Sequence, residues 1–531
     1  MQSSATTLNL ASIISHHARL APQKEAIIFD NVRLTYGELD RLSNRVANAL
    51  VEMGIGHGDK VALCSPNLPF FPIVYYGIMK AGAAVVPLNV LFKPREIAYH
   101  LQDSDSKAVF VFEGTEDLPL AATVKEGFDQ VPTCERLIVM TKDLMGKSPI
   151  EGHETLTQIT FDKSEQFETF PTSPDDTCAI LYTSGTTGQP KGAELTHLNL
   201  YSNVTTTFLI HLPVLDFTEP EQKTCLITLP LFHTTGQTVQ MNTQMYAGHR
   251  VVLLPRFEPQ ATLDIMVKER VNFWVGVPTM YWALLKHVDE TGYDISQIAN
   301  TMKVCSSGGA PMPVEVMREF QERFNVRVME GYGLSETSPL AMFNHFERPS
   351  KPGTVGQPIF GVDVRCFDDD DNEVPRGHRG EIVIRGTNVM KGYYKRPEAT
   401  AEAFRNGWFH TGDIGIMDEE GYLSIVDRKK DMILRGGYNI YPRELEEVII
   451  THPSVSLCAV IGVPDERLGE EVKAFVVLKQ GCELSTQEFT EWCKTQFAAN
   501  KYPRHVEFRD SLPIGGTGKI FKRALKEETA N

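Results

Sequence analysis

No apolar run in the chain reaches the roughly 18 residues a membrane-spanning helix needs. There is no Cys-x-x-Cys pair either. The nine cysteines, at 64, 134, 178, 225, 305, 366, 458, 482 and 493, are scattered. That odd count in a long chain points to reduced thiols and offers neither a disulfide frame nor a zinc site. Residues 1–24 lack the basic start and apolar centre of a secretory signal, and the last residues, Glu528 to Asn531, are not a peroxisomal Ser-Lys-Leu address. Internal repeats and low-complexity segments are missing. Basic charge is short as well: 52 Lys and Arg against 68 Asp and Glu leave a net charge of −16. General nucleic-acid binding is therefore disfavoured, and any anionic ligand must be held by locally concentrated positive groups. The expectation that remains is a soluble cytoplasmic protein. With 531 residues, 42% hydrophobic and 23% charged, the chain is too long for one core and long enough for two or three domains.

What the chain does have is a loop rich in hydroxyls and glycine, Thr183-Ser184-Gly185-Thr186-Thr187-Gly188-Gln189-Pro190-Lys191-Gly192. It follows an apolar run, Cys178 to Tyr182, that reads as a buried strand, and precedes a helix for which Thr196 is an acceptable N-cap. Backbone N–H groups, hydroxyls and an ammonium in such a loop can wrap a polyphosphate, and the glycines allow close approach. It is not a Walker loop: Gly185, Gly188 and Lys191 follow one another at three-residue intervals, where a Walker loop has four residues before its Gly-Lys pair. Alone, the stretch also admits the lesser reading of a ligand-free surface turn.

Upstream, strands at Ala26–Phe29, Val32–Leu34, Val61–Cys64, Ala84–Pro87 and Ala108–Phe112 alternate with helical stretches, including 70–80 and 94–102, which indicates an α/β unit. Residues 114–175 are polar and weakly patterned, a variable lead-in to the loop. Beyond it, strands are expected at Cys225–Leu229, Val251–Leu254, Phe273–Val277, Val304–Ser306 and Val326–Met329. Helices are expected at 259–269 and 313–324, the latter with Val316, Met317, Phe320 and Phe324 on one face. The loops leaving these strands are those that bind ligands in α/β sheets. From Pro352 to Val426 short strands and Gly turns suggest a β-rich subdomain. A charged joint, Asp427-Arg428-Lys429-Lys430-Asp431, is the best boundary, followed by an α+β module whose second helix is capped by Ser485 with Glu488 in capping-box spacing. The expected organisation is thus α/β multidomain. A large domain, 1–427, combines α/β subdomains with the β-rich one; a hinge follows at 428–431, then a small mobile α+β domain, 432–531.

The ordered words along the chain are the Thr183–Gly192 loop, Phe232-His233, Ser307-Gly308-Gly309-Ala310-Pro311, Glu330-Gly331-Tyr332-Gly333-Leu334-Ser335-Glu336-Thr337, His410-Thr411-Gly412-Asp413, the 427–431 joint, Arg435-Gly436-Gly437-Tyr438-Asn439 and Gly515-Gly516-Thr517-Gly518-Lys519. Together they resemble the adenylate-forming superfamily of acyl-CoA synthetases, peptide-synthetase adenylation domains and beetle luciferases, over residues 25 to 525. No one of these words is as specific as their joint order.

The resemblance implies ATP, Mg²⁺ and CoA as the cofactors and a role for each matching residue. Thr183, Ser184, Gly185, Thr186, Thr187, Gly188 and Lys191 would hold the β- and γ-phosphates. Glu336, with Thr183, would ligate Mg²⁺, and Thr337 would contact the α-phosphate. Gly308, Gly309 and Ala310 would pack against adenine, with Glu330, Gly331, Tyr332 and Gly333 on its other side. Asp413 would accept both ribose hydroxyls, with Arg428 and Ile425 nearby. Lys519 would be the mobile lysine of adenylation, acting with Thr183, Glu336 and His233, although Ile514 and Gly515 stand where many relatives carry Lys and Thr. Lys430 falls at the hinge. Gly436 and Gly437 would line a pantetheine tunnel once the small domain has swung.

The acid would sit among His233, Gln237, Val275, Pro278, Thr279, Gly308 and Gly333. These mostly small or apolar walls disfavour an amino acid and favour an apolar tail. The Ser307–Pro313 and Gly436–Pro442 words look most like bacterial medium- and long-chain fatty acyl-CoA synthetases. Plant-type aryl ligases, enzymes that pass the acyl group to a carrier protein or make a β-lactone, and an idle binder stay open. So do self-association and peripheral membrane contact.

Overall fold

The computed structural model describes residues 6–183, 189–214, 222–429, 431–436, 438–465, 467–516 and 518–530. Among them the strands form four sheets, three before the joint and one beyond it. In the first, the parallel strands Ala84–Pro87, Lys60–Cys64, Ser106–Phe112 and Arg136–Met140 lie beside Thr177–Thr183. Ala84–Pro87 is buried along its whole length, as expected where helices cover both faces of a parallel sheet. One cover is the helix Tyr36–Glu52, opened by a Thr35–Glu38 capping box. It crosses the helix Phe70–Lys80 at Gly77, where an added Cβ would lie 2.6 Å from Val46. The close crossing therefore depends on that glycine.

The second sheet carries the strands that point at the site. Phe273–Gly276, Val304–Gly308 and Val328–Gly333 run parallel, flanked by Thr224–Ile227 and Arg250–Leu253. The helix Val314–Phe324 seals one face with Met317, Phe320 and Phe324, the face its apolar spacing predicts. The third sheet is antiparallel, Val362–Phe367, Arg379–Gly386, Trp408–Met417 and Leu423–Arg428, the expected β-rich part. The fourth joins Ile433–Arg435, Tyr438–Ile440, Val455–Asp465, Gly469–Leu478 and His505–Phe508. It has its own apolar cluster around Leu445, Val460 and Phe489, and the Ser485 capping box opens its helix Thr486–Gln496. The class is therefore mixed α/β, with a large N-terminal and a smaller C-terminal domain. No helix among the described residues is long and apolar enough to cross a membrane.

Three local features differ from the sequence reading. The weakly patterned 114–175 stretch contains the helix Leu120–Phe128 and the sheet-edge strand Arg136–Met140; its short apolar core was masked by exposed polar turns on either side. The hydroxyl-rich loop does not pass straight from strand to helix. Lys191–Thr196 pairs antiparallel with Thr177–Thr183, Thr183 facing Lys191 across the ladder, and the helix His197–His211 begins only after the Thr196 cap. Its alternation, with Ala193 and Leu195 buried, is too short to stand out beside Gly192. Last, Thr235–Asn242 is wound as a π-helix, which no residue spacing announced.

Candidate active site

Strand ends of two sheets converge here. Thr183 closes its strand, and its hydroxyl donates to Glu336 Oε1 at 3.1 Å. The Tyr393 hydroxyl donates to the same oxygen at 3.0 Å, and the Met390 N–H reaches the Glu336 carbonyl at 2.8 Å. Lys191 places its ammonium 5.1 Å from the centre of the Tyr393 ring. A buried carboxylate, two hydroxyls and a lysine thus meet at the mouth of the Thr183–Lys191 hairpin. Hard oxygen donors in this small number suit Mg²⁺, which keeps waters and shares phosphate oxygens; they do not make an all-protein cage. Among the described residues no three His, Cys, Asp or Glu side chains gather into a metal cluster. Ser184, Gly185, Thr186, Thr187 and Gly188 lie outside the described residues.

Next to it, Asp413 and Arg428 face each other across paired strands, with Arg428 Nε 3.4 Å from Asp413 Oδ1. Tyr332 donates its hydroxyl to Asp413 Oδ2 at 2.7 Å, which fixes the ring beside the carboxylate. Ile425 lies half-buried two strand positions before Asp427. Glu330 is buried, and burial pushes its carboxyl up to about 7, opposed by the Met312 N–H on its Oε1 and by Arg443. Thr337 is fully buried, its hydroxyl tied to the Leu334 N–H and the Pro339 carbonyl. A Cβ on Gly333 would lie 1.7 Å from the Pro339 carbonyl oxygen, and one on Gly308 3.3 Å from that of Gly331. Only glycine fits the first of these.

The C-terminal module reaches into this cleft. A Cβ on Gly309 would come within 2.7 Å of Lys519 Cε and 2.9 Å of Nζ, so the lysine lies against bare backbone of the strip Gly308–Ala310. Its loop is tied back by Gly515 N–H to the Lys519 carbonyl, 2.8 Å, and is docked by the Thr279 hydroxyl on the Gly518 carbonyl at 2.5 Å. Burial first, then repulsion from Arg428, brings the Lys519 ammonium down to about 8, with Asp413 opposing. Burial, helped by Lys519, brings His233 to about 4, so it is neutral at physiological pH. Thr279 follows Pro278 at the start of the helix Pro278–Thr291. Gln237 is fully buried and accepts from Tyr75, while Val275 is half-buried.

The structure does not bring Gly436 to this cleft. Its N–H binds the Leu468 carbonyl within the C-terminal module. Gly437 and Lys430 lie outside the described residues. Sequence reasoning missed Tyr393, whose pairing with Glu336 and Lys191 arises only because Gly392–Tyr393 joins the first sheet beside Ala193 and Glu194.

The family described as AMP-binding enzyme matches residues 14–394, and the AMP-binding enzyme C-terminal domain matches 444–519. The chain belongs to the AMP-binding enzyme family. It is 38% identical to a long-chain-fatty-acid–CoA ligase of Bacillus subtilis (strain 168), covering 98% of this chain and 95% of that one. It is 37% identical to a feruloyl-CoA synthase of an Amycolatopsis species, covering 96% of each. Among solved structures, ATP-bound MatB from Rhodopseudomonas palustris superposes with a TM-score of 0.85 at 33% identity, covering 98% of this chain and 99% of that one. This AMP-binding enzyme is accordingly an AMP-forming acid–thiol ligase that uses ATP, Mg²⁺ and CoA.

Proposed function

We propose that the acid is a medium- or long-chain fatty acid, converted first to acyl-AMP and then to acyl-CoA. The observation that carries the reading is Lys519 seated on Gly309, between the glycine strip proposed for adenine and the His233 and Thr279 walls proposed for the acid. In the first step a carboxylate oxygen attacks the α-phosphorus of ATP, the bond to the β-phosphate oxygen breaks and pyrophosphate leaves. Lys519, protonated and held by its glycine-rich loop, donates to the oxygens on which charge grows. Lys191 and the hairpin mouth hold the departing phosphates, and Asp413, Arg428 and Tyr332 hold the nucleoside. Glu336 and the Thr183 hydroxyl would hold Mg²⁺, which when bound neutralises phosphate charge as a Lewis acid.

In the second step the CoA sulfur attacks the acyl carbonyl, its proton passes to water, and the acyl–oxygen bond to AMP breaks. For this the segment 432–531 would turn about the hinge at 428–431, withdrawing Lys519 and bringing the Arg435–Asn439 stretch to the pantetheine path. Two chemistries then share one cleft because domain position decides which groups are present.

The apolar and small walls support a fatty acid, as does the 38% identity to a fatty-acid ligase. An aryl acid is the second reading, favoured by the 37% identity to a feruloyl-CoA synthase. Thioester and pyrophosphate formation over a panel from acetate through fatty acids to coumarate and β-hydroxy acids, with and without CoA, tests both. Fatty acyl-CoA is the expected product. Thioester from coumarate alone would replace the fatty acid by an aryl acid, and pyrophosphate without thioester would point to another acceptor.

A further inference from the structure

The Thr183–Lys191 hairpin is held from outside by the C-terminal half of the helix Pro94–Asp103. Ile97, Ala98 and Leu101 seat that helix in the core, so its remaining side chains stand on a fixed base. Tyr182, the strand residue before Thr183, donates its hydroxyl to Asp103 Oδ2 at 2.8 Å. Arg396 donates to the other oxygen of Asp103, and its backbone N–H binds the Tyr393 carbonyl at 3.0 Å. One strand of the hairpin and the segment that brings Tyr393 to Lys191 therefore share an anchor.

Tyr99, one turn back on the same helix, reaches the other strand. Its hydroxyl donates to the Pro190 carbonyl at 2.6 Å and accepts from Arg396. Its ring stands edge-on to that of Tyr182, 6.2 Å between centres. Thr183 and Lys191 are the last pair of the ladder, so the Pro190 carbonyl lies just past the point where strand pairing fixes the chain. The proline ring already holds its φ at about −65°. A hydrogen bond on the carbonyl then holds the peptide plane that leads into Lys191. The bond is only part-buried, so burial does not compel it. What it does is aim the residue that follows.

We propose that Tyr99 is a positioning residue for adenylation, aiming the Lys191 ammonium at the β- and γ-phosphates of ATP through the Pro190 carbonyl. The proposal rests on the phosphate role given to Lys191 above. Acting through that lysine, Tyr99 bears on the binding of ATP and not on that of AMP, which lacks both phosphates.

The test is equilibrium binding to the full-length enzyme with Mg²⁺, comparing AMP with α,β-methylene ATP, which cannot release pyrophosphate. Tyr99→Phe keeps the ring and its contact with Tyr182. It should weaken the ATP analogue about three- to tenfold, the scale of one lost hydrogen bond, and leave AMP within about twofold. Lys191→Ala should weaken the analogue at least about tenfold, as expected for a charged partner. Adding Tyr99→Phe to Lys191→Ala should then cost less than about twofold more, because the group being aimed is gone. Equal weakening of AMP and the analogue by Tyr99→Phe would make Tyr99 a brace of the fold and overturn the proposal. Effects of the two substitutions that simply multiply would overturn its route through Lys191. A loss with Lys191→Ala but none with Tyr99→Phe would remove the positioning role and keep the phosphate role of the lysine. No loss with either would sink that phosphate role, and the proposal with it.

Discussion

Two glycine-containing turns of the C-terminal module, the one that carries Lys519 and the one inside the Ile433–Ile440 hairpin, are held in opposite ways. The Lys519 turn makes its outward contacts to the large domain: the Thr279 hydroxyl on Gly518, the bare backbone of Gly309, and Leu91 beside Gly516. The Ile433–Ile440 hairpin is held by its own module. Arg435 forks onto Glu471 at 2.5 and 2.8 Å and onto the Asn500 carbonyl, and Gly436 binds Leu468. Leu434 and Tyr438 at its tip are 53% and 59% exposed. A turn held to the large domain, among the described residues, by one hydrogen bond and by close packing is simpler to withdraw than one locked by charge. A hairpin fixed by a charged fork arrives elsewhere already shaped, its apolar tip uncovered in the present arrangement. The contrast fits the two-step use of the module proposed above.

The sharpest way to break that contrast is to disable each turn separately. Lys519→Ala should reduce acyl-adenylate formation by about 10²–10³, the usual cost of removing a donor aimed at developing charge. It should largely spare thioester formation from supplied acyl-AMP. Equal losses in both steps would refute the split. Gly436→Ala is the mirror image: its φ of +57° strains any side chain, so the hairpin should distort by about 1 kcal/mol. Thioester formation should slow severalfold while pyrophosphate release holds. A Gly436→Ala enzyme deficient in adenylation would mean the hairpin serves the first step too.

A pH profile sharpens the comparison from the Lys519 side. Adenylation as proposed uses the Lys519 ammonium, whose pKa lies at about 8, below the ordinary lysine value of about 10.4. In single-turnover pyrophosphate release, kcat/KM should therefore fall by half near pH 8 and about tenfold per pH unit beyond. The docked turn itself gains stability over the same rise, because the withdrawn lysine binds the more protons between the two values. Rate and docking thus run in opposite directions with pH. Lys519→Arg should be slower but flat across this window; an unchanged descending arm would assign the titration to another group.

The features legible in the sequence were those written locally. Thr196 and Ser485 cap the helices their spacing predicts, and Met317, Phe320 and Phe324 bury the face a 3.6-residue period places inward. The motif residues also proved to be neighbours: Thr183 with Glu336, Tyr332 with Asp413 and Arg428, Gly309 with Lys519. What stayed hidden was set by tertiary register. Tyr393 reaches Glu336 through an edge pairing between distant segments. Gln237 sits on a π-helix, for which hydrophobic periodicity carries no signal. The strand Arg136–Met140 was obscured by its polar flanks, and its parallel partner Ser106–Phe112 decided it.

The smallest effect should come from Tyr393→Phe, and it asks whether the large domain's half of the site is as rigid as the Lys519 half is movable. Among the described residues the hydroxyl contributes one of two hydrogen bonds on Glu336 Oε1, the other coming from Thr183. The ring, which carries the contact with Lys191 at 5.1 Å, would be kept. Losing an orienting partner of a proposed metal ligand should raise the Mg²⁺ concentration for half-maximal adenylation by about tenfold. kcat at saturating Mg²⁺ should stay within about twofold, because the carboxylate itself is still present. A matched fall in kcat with no change in Mg²⁺ dependence would instead place Tyr393 on the phosphates through Lys191. That result would also leave the Thr183 hydroxyl alone sufficient to orient Glu336.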